Sequence, residues 1–394
     1  MTPTSSPREP LFSRDFTLIS LANLTLCISF YFLLTYLPLY LKSDRGYSES
    51  EIGLIQSAFA FASIFARPFT GVLLDRYSRK KIYLTPFLLF GLFFAGYPLL
   101  QTFSLLVLLR IFHGACWGAL SSSGNTIAID ITPPSRRGEG IGVFGLSMTL
   151  AMAVGPIIAT KVQTGVSSAV AFPVALVVCL LAFVPASCVR SVKMNAEKKP
   201  LRLSALLSKD ALPTAAVILF INIAYGAILT YIALYAKTMG FENVWLFYFL
   251  LAIGICVTRF LAGRLYDQIG PLGIMTVSAL VLLASLPVAI LTTQPMLFYA
   301  IAFVIGLGFG AQMITTQAMA NEGVPVQRRG ATNATYLALF DLGISFGMLI
   351  YGFLIKGMGY THALLTLGVW VVISFAWLLL VGMKHYKTKL TTKG

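Results

Sequence analysis

The chain has 394 residues, of which 57% are hydrophobic and only 11% charged, with a mean hydropathy of +0.83. A soluble core of this size does not need so few charges, and the apolar runs are too long and continuous for a β-barrel, whose strands alternate over short segments. The net charge of +15 does not point to nucleic acid, because most Lys and Arg sit in polar segments on one side of the apolar runs.

Residues 1–14, rich in Pro and Ser, read as a short flexible tail. The apolar segment that follows is too long for a signal-peptide core and is kept as the first helix. Apolar stretches long enough to cross a bilayer fall near 15–41, 51–74, 82–102, 104–130, 138–162 and 167–189. The polar stretch 190–209, with SVKMNAEKKP at its centre, reads as a linker. Six further spans follow near 211–236, 243–264, 271–292, 295–320, 330–355 and 361–383, and the basic tail 384–394 closes the chain. The expectation is an all-α membrane protein: twelve transmembrane helices in two bundles, 15–189 and 210–383. The basic clusters place both termini in the cytoplasm by the positive-inside pattern. The five cysteines lie in or at the ends of spans, with no metal-ligand spacing and no expected disulfide framework.

The two halves repeat each other. Leu34–Lys42 (LTYLPLYLK) recurs as Leu229–Lys237 (LTYIALYAK). At a spacing of 192, Arg67, Gly71 and Asp75 recur as Arg259, Gly263 and Asp267, Gly114 and Gly118 as Gly306 and Gly310, and Gly155 as Gly347. A duplicated apolar half is the mark of many secondary transporters, which bind substrate between the halves near the bilayer midplane.

Five features carry chemistry. The loop after the second span reads Gly71-Val-Leu-Leu-Asp75-Arg76-Tyr-Ser78-Arg79-Lys80-Lys81. Gly71 permits a close helix approach, and Asp75 can accept charge-assisted bonds from a helix N-terminus and Arg. Arg110 lies inside the fourth span with His113 one turn on. An intramembrane Arg is costly; it either snorkels outward or orients a proton or substrate. A lone His is more often hydrogen-bonded packing. Gly155-Pro156 in the fifth span removes a backbone bond and kinks the helix, and its small neighbours Ala151, Ala159 and Thr160 suit packing against the other half. Asp341 lies deep in the eleventh span, where low dielectric suits reversible protonation; a structural ion pair is the alternative. The first span carries Asn23 and no acid at mid-depth. Candidates to line the cavity are Asn23, Tyr31, Phe144, Asn222, Tyr225, Gln312 and Tyr336, a set of aromatic walls with few amides that fits a partly apolar ligand. Tyr36 and Tyr231, repeat mates, suit hinge or outer-gate packing.

The Gly71–Lys81 loop resembles the signature loop of the major facilitator superfamily, G-x-x-x-D-R-x-G-R-[RK]. Ser78 stands where that pattern has Gly, so some strain in the turn is expected. The resemblance covers essentially the whole chain. It implies a cytoplasmic gate of Gly71, Asp75, Arg76 and Arg79, with Asp130 at the end of the fourth helix as the partner acid and Glu322 as its counterpart. Arg110–Gly118 resembles the family's R-x-x-Q-G-x-x-x-G pattern, with His113 in place of Gln. Gly155-Pro156 resembles the motif associated with exporters, G-x-x-x-G-P-x-x-G-G. The function so implied is secondary active transport, foremost proton-coupled export of small amphipathic drugs or metabolites. The alternatives are proton-symport import of a nutrient or metabolite, and a lipid flippase or non-transporting receptor. The implied partners are a small-molecule substrate, protons and membrane lipids, with the protein acting as a monomer in a bacterial inner membrane. No Walker loop, zinc spacing or nucleophile elbow points to an enzyme, and no cofactor or metal is implied.

Overall fold

The structure is a computed structural model that describes residues 10–133, 136–190, 208, 210–322, 324 and 329–391. Most of the linker 190–209 and the first nine residues therefore lie outside the described residues. The regular elements are α1 (Arg14–Ser43), α2 (Glu49–Arg76), α3 (Arg79–Phe93), α4 (Gly96–Leu99), α5 (Phe103–Ile131), α6 (Arg137–Gly165), α7 (Ser168–Cys188), α8 (Leu212–Thr238), α9 (Val244–Leu291), α10 (Pro295–Asn321), α11 (Arg329–Leu365), α12 (Leu367–Trp377) and α13 (Met383–Thr391), with a π turn at Leu378–Gly382. Among the described residues, eleven helices are long and apolar enough to cross a bilayer, and Val244–Arg259 is apolar but shorter.

The helix ends follow local chemistry. The Ser13 hydroxyl accepts from the Phe16 amide and starts α1. Before α2, Glu51 reaches back to the Ser48 amide at 2.9 Å, a capping box. Pro213 and Pro295 sit in the first turns of α8 and α10, where the missing N–H would have no helical partner anyway. Both α9 and α11 contain one break. Gly270 (φ 68°, ψ 171°) and Gly359 (φ 78°, ψ 167°) hold a backbone conformation essentially confined to glycine, and each joins two helices. Gly270 is the repeat mate of Ser78. Ser78 itself adopts φ −57° and ψ 116°, so the expected strain is absent: the first-half turn takes a different path that any residue can follow.

Within the first half, α1 packs on α6 and α7, α2 on α5, and α3 on α5 and α7; in the second half, α8 packs on α11 and α12, and α9 on α10 and α12. The halves meet through α2 with α11, α6 with α9, and α1 with α8, pairs that the repeat relates to one another. The central helix α8 is buried along most of its length. The last segment, read from sequence as a tail, is the helix α13. Its Tyr386 hydroxyl reaches Glu322 at the end of α10 (2.6 Å).

Candidate functional site

The two halves meet closely at Gly53 of α2 and not at Gly71. Gly53 and Gly71 stand eighteen residues apart on α2, five full turns, and so share a face. A Cβ at Gly53 would lie 2.6 Å from the Met348 carbonyl of α11, and one at Gly352 would lie 2.6 Å from the Glu49 carbonyl. A Cβ at Gly71 would meet nothing within 4 Å. Gly71 therefore does not serve a close helix contact in this conformation, contrary to the expectation from its spacing.

The closed end is stitched by polar bonds. The Glu49 carboxylate takes Lys42 of α1 at 2.6 Å and the Tyr360 hydroxyl of α11 at 2.9 Å. Tyr231 of α8 donates to the Met348 carbonyl at 2.8 Å and approaches the Glu49 carbonyl at 3.2 Å. Lys161 of α6 lies 5.3 Å from the ring centre of Trp245 on α9. Tyr231 thus packs at the closed end, whereas Tyr36 stacks on Phe32 and meets Phe172 edge-on within its own half.

Further along α2, Arg67 crosses to Asp341 of α11, Nη2 to Oδ2 at 2.5 Å, with each side chain 21% exposed. Asp341 is therefore paired, and the pair joins the two halves. Arg67 was missed as a site residue at the sequence level, although the cost of an intramembrane Arg that singled out Arg110 applies to it equally. Tyr31 of α1 stands within electrostatic reach of Asp341, Tyr225 and Arg259, and Tyr336 of α11 within reach of Arg259. Tyr225 rests against Phe309 at 5.2 Å, with its hydroxyl unpartnered among the described residues. Tyr336 donates to the Met313 carbonyl at 2.8 Å. Tyr31, Tyr225 and Tyr336 are thus buried aromatic groups on the helices through which the halves meet.

The other candidates lie elsewhere. Arg110 does not snorkel: it is 1% exposed, bonds Gln56 Oε1 at 2.6 Å, and lies 4.1 Å from the ring centre of Phe59. His113, fully buried, shares a 2.9 Å bond between Nδ1 and the Tyr97 hydroxyl and stacks edgewise on Phe90 and Phe94. Its Nε2 has no hydrogen-bond partner among the described residues. The structure brings Arg110 and His113 together through Tyr97, but not with Asp341. Gln56 and Arg67, which hold the two groups on α2, are eleven residues or about 16 Å apart along the helix.

Gly155 packs on α1 of its own half, its Cβ position 2.5 Å from Tyr31 Cβ, rather than against the other half. Asn222 spends its amide on the Phe340 carbonyl (3.0 Å), and Gln312 on Ser278 Oγ (2.9 Å) and the Met275 carbonyl (3.2 Å). Both stay inside the second bundle. Phe144 is buried beside Gly124 of α5. Asn23 is half-buried, and its Oδ1 faces the Cys27 thiol at 3.9 Å.

At the gate loop, Arg79 forms an ion pair with Asp130 across α3 and α5. Arg76 is exposed, and the side chain of Asp75 lies outside the described set. In the second half the position of Arg79 is occupied by Pro271. Glu322, mate of Asp130, is instead held by two hydroxyls, Tyr266 at 2.5 Å and Tyr386 at 2.6 Å. Burial and the bond to Glu322 push the Tyr266 hydroxyl well above its ordinary pKa, which keeps it a donor.

The Major Facilitator Superfamily profile matches residues 19–330 and 252–394. The chain is 23% identical over 349 residues to the staphylopine export protein of Staphylococcus aureus strain Mu50, covering 84% of this chain and 87% of that one. Among solved structures it resembles a bacterial homologue of the human lysosomal transporter Spinster, in an inward-facing and occupied conformation, with a TM-score of 0.79 at 14% identity over 95% of this chain and 97% of that one. The nucleoside transporter NupG gives a TM-score of 0.75 at 14% identity over 93% of this chain and 99% of that one.

Proposed function

This chain belongs to the Major Facilitator Superfamily, a transporter and not an enzyme, and we propose that it exports small amphipathic molecules in exchange for protons by alternating access. Residues 1–190 rock against 210–394. The end closed at Glu49 is the outer one, the Gly71 end opens to the cytoplasm, and both termini lie in the cytoplasm of a bacterial inner membrane. The protein works as a monomer.

The observation that carries the reading is the ion pair Arg67–Asp341, a charged link between the halves inside the spans. A proton on Asp341 removes its charge and releases Arg67, so proton occupancy biases the two halves toward separation. A ligand or proton moves such an equilibrium only by its differential affinity for the two states. Arg79–Asp130 shapes the cytoplasmic end of the first half, with Asp75 and Arg76 beside it. The direction of transport draws support from the export protein among the relatives and from Gly155-Pro156. Arg110 and His113 have a positioning role, holding α2 and α5 together so that Arg67 is presented at the interface.

A second reading, proton-symport import, is favoured by one observation: α1 has no acid between Asp15 and Asp44, and Asn23 occupies its middle. Proteoliposomes with an imposed pH gradient separate the two. Movement of a fluorescent amphipathic probe coupled to opposite proton flow, and lost in Asp341→Asn, supports antiport; proton flow in the same direction as the probe supports symport. Gradient-driven transport retained in Asp341→Asn removes this residue from coupling.

A further inference from the structure

The repeat is broken at one charge. Arg67 and Arg259 are mates, and Arg67 has Asp341 as its counter-ion. The residue 192 positions before Asp341 is Thr149, which carries no charge. Arg259 is exposed, and among the described residues it makes no hydrogen bond or ion pair.

Its mate Arg67 reaches across to α11, and the repeat relates α2 with α11 to α9 with α6, so α9 also faces the other half. Ile255 and Ala252, one and two turns back on the same face of α9, are 3% and 4% exposed. Arg259 also acts electrostatically on Tyr31 of the first half and Tyr336 of the second. It therefore stands in the space between the halves. With Arg67 and Asp341 neutralising each other, Arg259 is left without a counter-charge among the described residues. A guanidinium inside a span without a counter-charge is costly, and a bound anion removes that cost.

We propose that Arg259 is the anion-binding residue of the central cavity, and that the molecule carried is an amphipathic organic carboxylate. The carboxylate takes the guanidinium fork through two parallel N–H···O bonds, and Tyr31 and Tyr336 flank the apolar body. The transport half of this statement rests on the exporter reading above; the binding half does not.

The test uses the full-length protein in detergent and two fluorescent probes that differ only in charge, dansylglycine and dansylglycine amide. The wild type should bind the carboxylate about tenfold tighter than the amide, the worth of one charge-assisted contact. Arg259→Gln should erase that ratio by weakening the carboxylate alone, and Arg259→Lys should keep part of it. Equal binding of the two probes by the wild type overturns the proposal without recourse to any variant. So does a ratio that survives in Arg259→Gln, or failure of both probes to bind. Flux of dansylglycine in proteoliposomes then separates the two halves of the statement: Arg259-dependent binding without flux leaves the anion site standing and removes the transport reading.

Discussion

Removing one member of the inter-half ion pair should cost more than removing both. Arg67 and Asp341 meet at 2.5 Å with a fifth of each side chain exposed, and Nε and Nη1 of Arg67 have no hydrogen-bond partner among the described residues. The pair thus rests on a single contact. Breaking a fully buried pair costs about 3–5 kcal/mol because a charge is left uncompensated; with this exposure, roughly 2 kcal/mol is expected. Asp341→Asn strands Arg67, and Arg67→Gln strands Asp341. The double variant strands neither, and a coupling energy of about 3 kcal/mol should appear in the cycle. The assay is thermal unfolding of the four purified proteins at one fixed scan rate, since membrane proteins unfold irreversibly. Each single variant should fall by about 4 °C and the double should recover more than half of that. A double variant that falls by the sum of the singles refutes the idea that the two charges support each other across the halves.

Other outcomes follow from the same geometry. Glu49→Gln and Tyr360→Phe each remove a bond at the Glu49 end; with that end facing outward as proposed, each should raise labelling of a buried Thr230→Cys reporter by an impermeant maleimide in intact cells about tenfold. Unchanged labelling in both variants means that this end is closed by packing alone. Gly155→Ala places a methyl group 2.5 Å from Tyr31 Cβ and 2.8 Å from the Phe32 amide nitrogen, and should lose about 1–3 kcal/mol, read as a lower unfolding temperature with unaltered membrane insertion. Asp130→Asn leaves Arg79 without its counter-ion and should reduce transport about tenfold; normal transport by a well-inserted variant removes this pair from gating.

How much of the site was legible in the sequence differs residue by residue. Asp341 stood out because a carboxylate inside an apolar run has few benign explanations. Its partner did not, since Arg67 lies on a different helix 274 positions away and no local pattern joins them. Asn222 and Gln312 look like cavity amides by type and depth, yet their amides satisfy carbonyls and a hydroxyl of their own bundle. A helix of apolar composition all round shows little periodicity to say which face turns inward. Arg110 carries the same lesson, since snorkelling and burial are both open to a long side chain until Gln56, Tyr97 and Phe59 are seen to surround it.

The sequence by itself determined the membrane class, the duplication and the family, because apolar run length, glycine spacing and loop charge are local properties that survive without knowledge of packing. Only the tertiary structure decided which charges meet. It paired Arg67 with Asp341 and left Arg259 open. It held Glu322 with two tyrosines where the first half uses an arginine, and it closed α2 on α11 at Gly53 but not at Gly71. Those outcomes depend on the relative rotation and tilt of helices, which side-chain packing between distant segments sets and no local pattern encodes.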